Sequence, residues 1–133
     1  MKIGNLAHNS GCSIQTIRYY ETRGLLETPT RTSANYRSYT QKHLQQLLFI
    51  KRCRALKLSL TEIQYLIDSR DQPEGDCKPI TTLIDQHLAE VERHIEELHS
   101  LKHQLSELRT QCGDAKTMSQ CGIIKSLEVV SDN

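Results

Sequence analysis

"KPITTLIDQHLAEVERHIEELHSLKHQLSELRTQC", residues 78–112, decides the architecture. No glycine interrupts it, and its one proline, Pro79, sits in the tolerated first helical turn. Apolar residues recur at Ile84, Leu88, Val91, Ile95, Leu98, Leu101, Leu105 and Leu108, always three or four apart. That is a coiled-coil seam sustained over more than three heptads. At the rise of an α-helix it makes a rod of about 50 Å. A continuous apolar stripe on such a rod must be buried, and the chain has no second long helix to receive it. The partner expected is a second copy, in an antiparallel two-stranded coil with two-fold symmetry. The competing arrangement folds the rod back on the N-terminal half.

Upstream, "DQPEGD" (71–76) breaks the helical pattern and marks a boundary. Charge divides there too. Residues 1–70 carry 11 Lys/Arg and 4 Asp/Glu, whereas residues 71–133 carry 6 and 12. A basic part joined to an acidic part suggests that one binds a polyanion and the other does something else. No apolar run is long enough to span a bilayer, and "MKIGNLAHNS" lacks the apolar core of a signal peptide. A cytoplasmic protein with no membrane role is expected. Five cysteines in such a chain point to metal binding or burial rather than to a disulfide framework. No C-x-x-C motif and no βαβ pattern is present, so an enzyme such as a thiol oxidoreductase is not expected.

The basic part reads as short helices around a hairpin. "KIGNLAHN" (2–9) places Ile3, Leu6 and Ala7 on one helical face, and "SGC" follows as a turn. Ser13 is placed to cap "IQTIRYYETRG", which Gly24 ends. Two short helices joined by a tight glycine turn are a helix-turn-helix outline. "ETPTRTSANYRSY" (27–39) reads as a short hairpin, or wing. "TQKHLQQLLFIKRCRALKL" (40–58) is a helix capped by Thr40, with Leu44, Leu47, Leu48, Ile50 and Leu56 as core candidates. "SLTEIQYLIDSR" (59–70) opens on a capping box, Ser59 with Glu62, and turns Leu60, Ile63, Leu66 and Ile67 inward. The fold class is mainly α: a winged helix-turn-helix over 1–70, a linker over 71–77, the dimerisation helix over 78–112, and a loop with a short helix over 112–133.

Thr16, Arg18 and Tyr19 face outward near the start of the second helix, where a recognition helix meets the major groove. Arg suits phosphate and guanine, and Thr and Tyr hydroxyls suit phosphate. Tyr36, Arg37 and Tyr39 on the hairpin, with Arg31 and Lys57, complete a basic and aromatic set that fits double-stranded DNA better than a membrane.

Taken together, "MKIGNLA", "TIRYYE", "NYRSY" and "SLTEI", at this spacing and followed by the long helix, resemble the MerR family of dimeric transcription regulators. The resemblance implies a winged helix-turn-helix with Arg18 and Tyr19 in the major groove and Tyr36 and Arg37 on the backbone. It implies a promoter whose two elements lie too far apart for RNA polymerase until an inducer makes the dimer kink and untwist the DNA between them. That is indirect readout used as a switch.

Cys77 precedes the rod, Cys112 closes it, and Cys121 follows. In an antiparallel coil Cys77 of one chain lies beside Cys112 and Cys121 of its partner, so a three-thiol metal site forms only between chains. Thiolates select soft cations. Copper- and silver-sensing members of the resembled family have Ser where this chain has Cys77, which favours a divalent ion. Zinc-sensing members add a Cys and a His where this chain has Gln111 and Lys116. "GDC…LIDQHL…HIEEL…CGI" is most similar to the cadmium- and lead-sensing branch. Cadmium or lead is therefore the expected inducer of heavy-metal resistance genes, with mercury or zinc as alternatives, and a Cys112–Cys121 redox sensor as another. The C-terminal "KSLEVVSDN" offers no His-rich second site. Cys12 and Cys53 are expected in the core. His87, His94, His99 and His103 are expected on the polar sides of the coil, and Asp76 and Asp114 in solvated loops.

Overall fold

The computed structural model describes residues 1–34, 36–113 and 117–128. Asp114 and Lys116 lie outside the described residues, as do 129–133. The chain divides into two compact units, Met1–Asp76 and Cys77–Asn133.

The first unit holds α1 (Ile3–Ser10), α2 (Ile14–Thr22), β1 (Thr30–Arg31), β2 (Arg37–Ser38), α3 (Gln41–Ala55) and α4 (Leu60–Arg70). α1 stops because Gly11 adopts φ 73°, turning its N–H back onto the Ala7 carbonyl at 3.0 Å. Two residues later Ser13 caps α2, its hydroxyl accepting from the Thr16 N–H at 3.0 Å. This tight turn is what sets α2 across α1. The wing is a minimal antiparallel ladder, Thr30 opposite Ser38 and Arg31 opposite Arg37. At the start of α3 the Thr40 N–H donates to Nδ1 of His43 at 3.0 Å. Histidine thus does what Glu or Gln usually does in a capping box. At α4 the expected box is present: Ser59 Oγ accepts from the Glu62 N–H at 3.1 Å, and Glu62 Oε1 accepts from the Ser59 N–H at 2.8 Å.

The core of this unit is Leu6, Ile17, Leu26, Tyr39 and Leu47, with Ile50, Leu58 and Ile63 also buried. Cys53 is buried and Cys12 packs against the cluster, as expected of small apolar side chains. Burial pushes the Cys53 thiol above its ordinary pKa, so it stays a neutral hydrophobe. Leu56 corrects the sequence reading: it is 68 % exposed, and Leu58 is buried in its stead. The cause is Lys57, whose φ of 67° ends α3 in a left-handed turn. The Leu58 N–H then reaches the Cys53 carbonyl at 3.2 Å and the leucine swings inward.

The second unit is α5 (Lys78–Thr110), a 3-10 turn at Met118–Gln120, and α6 (Gly122–Glu128). α5 runs 33 residues and buries none of its side chains fully. Its stripe from Ile84 to Leu105 stands 39–63 % exposed. Its polar side carries exposed pairs such as Arg93 between Glu90 and Glu97, each at 3.8 Å. These are worth little in stability, so the apolar stripe dominates the energetics of the rod. Among the described residues no helix is long and apolar enough to cross a membrane.

Candidate nucleic-acid interface and thiol site

α2 presents Arg18 and Tyr19 outward, both exposed. Thr16 is half-buried, and its hydroxyl oxygen accepts from the Ser13 hydroxyl at 2.8 Å, which leaves its own O–H to donate outward. The Tyr19 ring lies 5.9 Å from the Arg23 guanidinium, and its hydroxyl accepts from Arg23 Nη1 at 3.5 Å. Arg23 therefore belongs to the same basic face, although the motif reading passed over it. On the wing, Tyr36 is exposed and Lys2 Nζ stands 5.6 Å from its ring. Arg31 and Arg37 are register partners in the two-residue ladder, at the end nearer the wing's tip.

Glu21 ties α2 to the wing. Its carboxylate accepts from Arg37 Nη1 at 3.0 Å and from the Tyr39 hydroxyl. The side chain of Glu21 is only 11 % exposed, so the pair with Arg37 is shielded more than an ordinary surface ion pair. One signal was available for it. Carboxylates are scarce in 1–70, with four against 11 Lys/Arg, so one set among basic and aromatic residues in "RYYE" stands out.

Tyr39 is a correction. The sequence places it among the DNA contacts, but its ring is 2 % exposed and packs in the core. Burial, and then the Glu21 carboxylate, raise its pKa, so the phenol stays a proton donor to Glu21. Its task is to hold the wing's anchor. We expect Tyr39→Phe to destabilise the first unit by about 1.5–3 kcal/mol, the worth of a hydrogen bond to a charged acceptor. A melt at fixed chain concentration checks this, and promoter affinity should fall less than for a phosphate ligand.

Lys57 stands exposed at the left-handed turn between α3 and α4. A side chain there costs about 1–2 kcal/mol, of which the greater freedom of unfolded glycine offsets about 0.5–1. Lys57→Gly should therefore stabilise the unit by about 0.5–1 kcal/mol. It should also weaken DNA binding evenly across sequences and lower the salt slope by about one. Paired urea melts and binding isotherms at several salt concentrations read both signs.

The thiols lie in the second unit. Cys121 Sγ accepts hydrogen bonds from the amides of Ile124 and Ile123, and a further hydrogen bond links it to the free Cys112 thiol; these lower its pKa below that of an ordinary thiol. Arg109 Nη1 donates to the Cys112 carbonyl at 2.7 Å, fixing the backbone where α5 ends. Cys77 stands exposed at the opposite end of α5, about 50 Å away by helical rise. One chain therefore brings together Cys112 and Cys121 and keeps Cys77 apart. Among the described residues no three potential ligands gather within the chain. Two adjacent thiols suit a soft cation, and a third donor must come from elsewhere. His103 pairs with Glu107 at 3.1 Å on the outside of the rod.

Known proteins resemble the chain over nearly its whole length. The pattern described as "MerR HTH family regulatory protein" matches residues 1–70, and that described as "MerR, DNA binding" matches 44–108. The chain is 46 % identical over 109 residues to the HTH-type transcriptional regulator ZntR homolog of Haemophilus influenzae, covering 82 % of this chain and 81 % of that one. It is 36 % identical over 126 residues to the mercuric resistance operon regulatory protein of Bacillus cereus, covering 95 % and 96 %. The crystal structure of the transcription regulator PbrR691 from Ralstonia metallidurans CH34 in complex with lead(II) superposes with a TM-score of 0.84 at 45 % identity, covering 96 % and 98 %. A helix-turn-helix with a basic outer face, followed by a long helix that ends at paired thiols, is thus the architecture of a regulator rather than an enzyme, and the chain belongs to the MerR family of transcriptional regulators.

Proposed function

We propose that the protein is a cytoplasmic, homodimeric, metal-responsive regulator that binds promoter DNA and, when cadmium(II) or lead(II) binds, distorts it so that RNA polymerase can transcribe heavy-metal resistance genes. The observation that carries this reading is the division of the thiols. Cys112 and Cys121 are paired at one end of α5, and Cys77 waits at the other. An antiparallel partner supplies what each end lacks. Cys77 of one subunit then joins Cys112 and Cys121 of the other, and the metal becomes a clamp between chains. Thr16, Arg18 and Tyr19 read or grip the groove; Arg31, Tyr36, Arg37 and Lys57 hold phosphates. Closing the clamp needs to favour the DNA-distorting state by only a few kcal/mol, about 5 for a near-complete switch.

The lead(II)-bound neighbour and the sulfur-rich donor set support a soft divalent ion. The mercuric resistance relative keeps mercury as the second reading. Titrating the purified protein on promoter DNA with cadmium, lead, mercury and zinc, while counting open complexes, separates them. Activation by zinc or mercury at lower free concentration than cadmium or lead would overturn the metal assignment. Activation by peroxide without metal would replace it with the redox reading.

A further inference from the structure

Gly122 opens α6, and the place its Cβ would occupy is already taken. A Cβ there would meet the Gln111 carbonyl oxygen at 1.9 Å and the carbonyl carbon at 2.9 Å. The obstacle is backbone, so no side chain can rotate out of the way. Gln111 is also tied down, as the C-cap of α5, with its N–H on the Leu108 carbonyl at 3.0 Å. Displacing its carbonyl therefore disturbs the backbone at the end of the rod.

This close approach joins the residue before Cys112 to the residue after Cys121. We propose that Gly122 is the positioning residue of the thiol pair: its missing side chain lets the first turn of α6 lie on the end of α5, and that contact holds Cys121 beside Cys112. Its effect on metal binding rests on the function proposed above; its effect on the thiol pair does not. Helix propensity argues the other way, since Ala is better than Gly inside a helix. If the contact were unimportant, Gly122→Ala would strengthen α6 and leave the thiols together. Gly113 is the natural control. It adjoins Cys112 on the other side, and nothing lies within 4 Å of where its Cβ would be.

The test uses the full chain with two readouts. The first is the rate at which diamide, itself reduced to the hydrazine as it takes two electrons and two protons, converts Cys112 and Cys121 to a disulfide, mapped by peptide mass. The second is the thiolate-to-metal absorption band during titration with cadmium or lead. Gly122→Ala should slow the first and weaken the second by at least about tenfold, ~1.4 kcal/mol, with helicity and metal-free promoter binding retained. Gly113→Ala should stay within about twofold of the unaltered chain in both. Disulfide formation in Gly122→Ala at the original rate would overturn the proposal. So would loss of overall helicity or promoter binding, which would make Gly122 a general structural residue. If the unaltered chain shows no metal band, the metal function fails, and the disulfide rates alone decide the role of Gly122.

Discussion

Replacing Leu98, Leu101 and Leu105 together by Asp should leave a chain that no longer dimerises. In a single chain these leucines stand 63 %, 49 % and 57 % exposed along one side of α5. Full burial of a leucine is worth about 1.5–3 kcal/mol, so covering the exposed half of each gives about 1 kcal/mol. Three positions on two helices make about 6 kcal/mol, and carboxylates in the seam would add repulsion to that loss. The dissociation constant should rise by at least about ten-thousandfold, read by sedimentation equilibrium. The Met1–Asp76 unit carries its own core of Leu6, Ile17, Leu26, Tyr39 and Leu47, so it should remain folded. Promoter affinity should collapse nonetheless, because two-fold binding to paired half-sites is lost. A triple variant that stays dimeric would show that the stripe is covered by something other than a second rod.

Cys77→Ser should abolish induction while leaving DNA binding intact. Serine keeps the size of the side chain but offers a hard hydroxyl in place of a soft thiolate. Altering even the outer partners of metal ligands costs about 10–100-fold in affinity, so losing one ligand of three should cost more than about a hundredfold. Cys77 stands exposed at the first turn of α5 and makes no side-chain cap there, which leaves little for it to do in folding. Metal titration by absorbance and promoter binding without metal, on the same preparation, separate the two effects. Lost promoter binding would make Cys77 structural.

Much of this was legible in the sequence because the signals were local. Ser13, Gly24 and the Ser59–Glu62 box follow from backbone groups within one turn, and the stripe on α5 follows from spacing alone. The misreadings share a cause: each depended on chain far away or on an unusual dihedral. Leu56 fits the period of α3, but Lys57 breaks that period by turning left-handed, and nothing in a lysine announces it. Tyr39 sits in a basic, aromatic stretch, yet the carboxylate that claims its hydroxyl lies 18 positions upstream in α2. At the thiols the residue types were plain, whereas the close packing of Gly122 on Gln111 is a backbone contact across a loop and shows only in three dimensions.

The central claim is that the metal site is shared between chains, and mixed dimers test it most directly. One subunit carries Cys77→Ser; the other carries Cys112→Ser and Cys121→Ser. Shared ligation leaves Cys77 of the second subunit facing Cys112 and Cys121 of the first. The mixed dimer should then bind one cadmium or lead ion with the absorption band of the unaltered protein, while neither parent homodimer does. A mixed dimer with no such band would contradict the account.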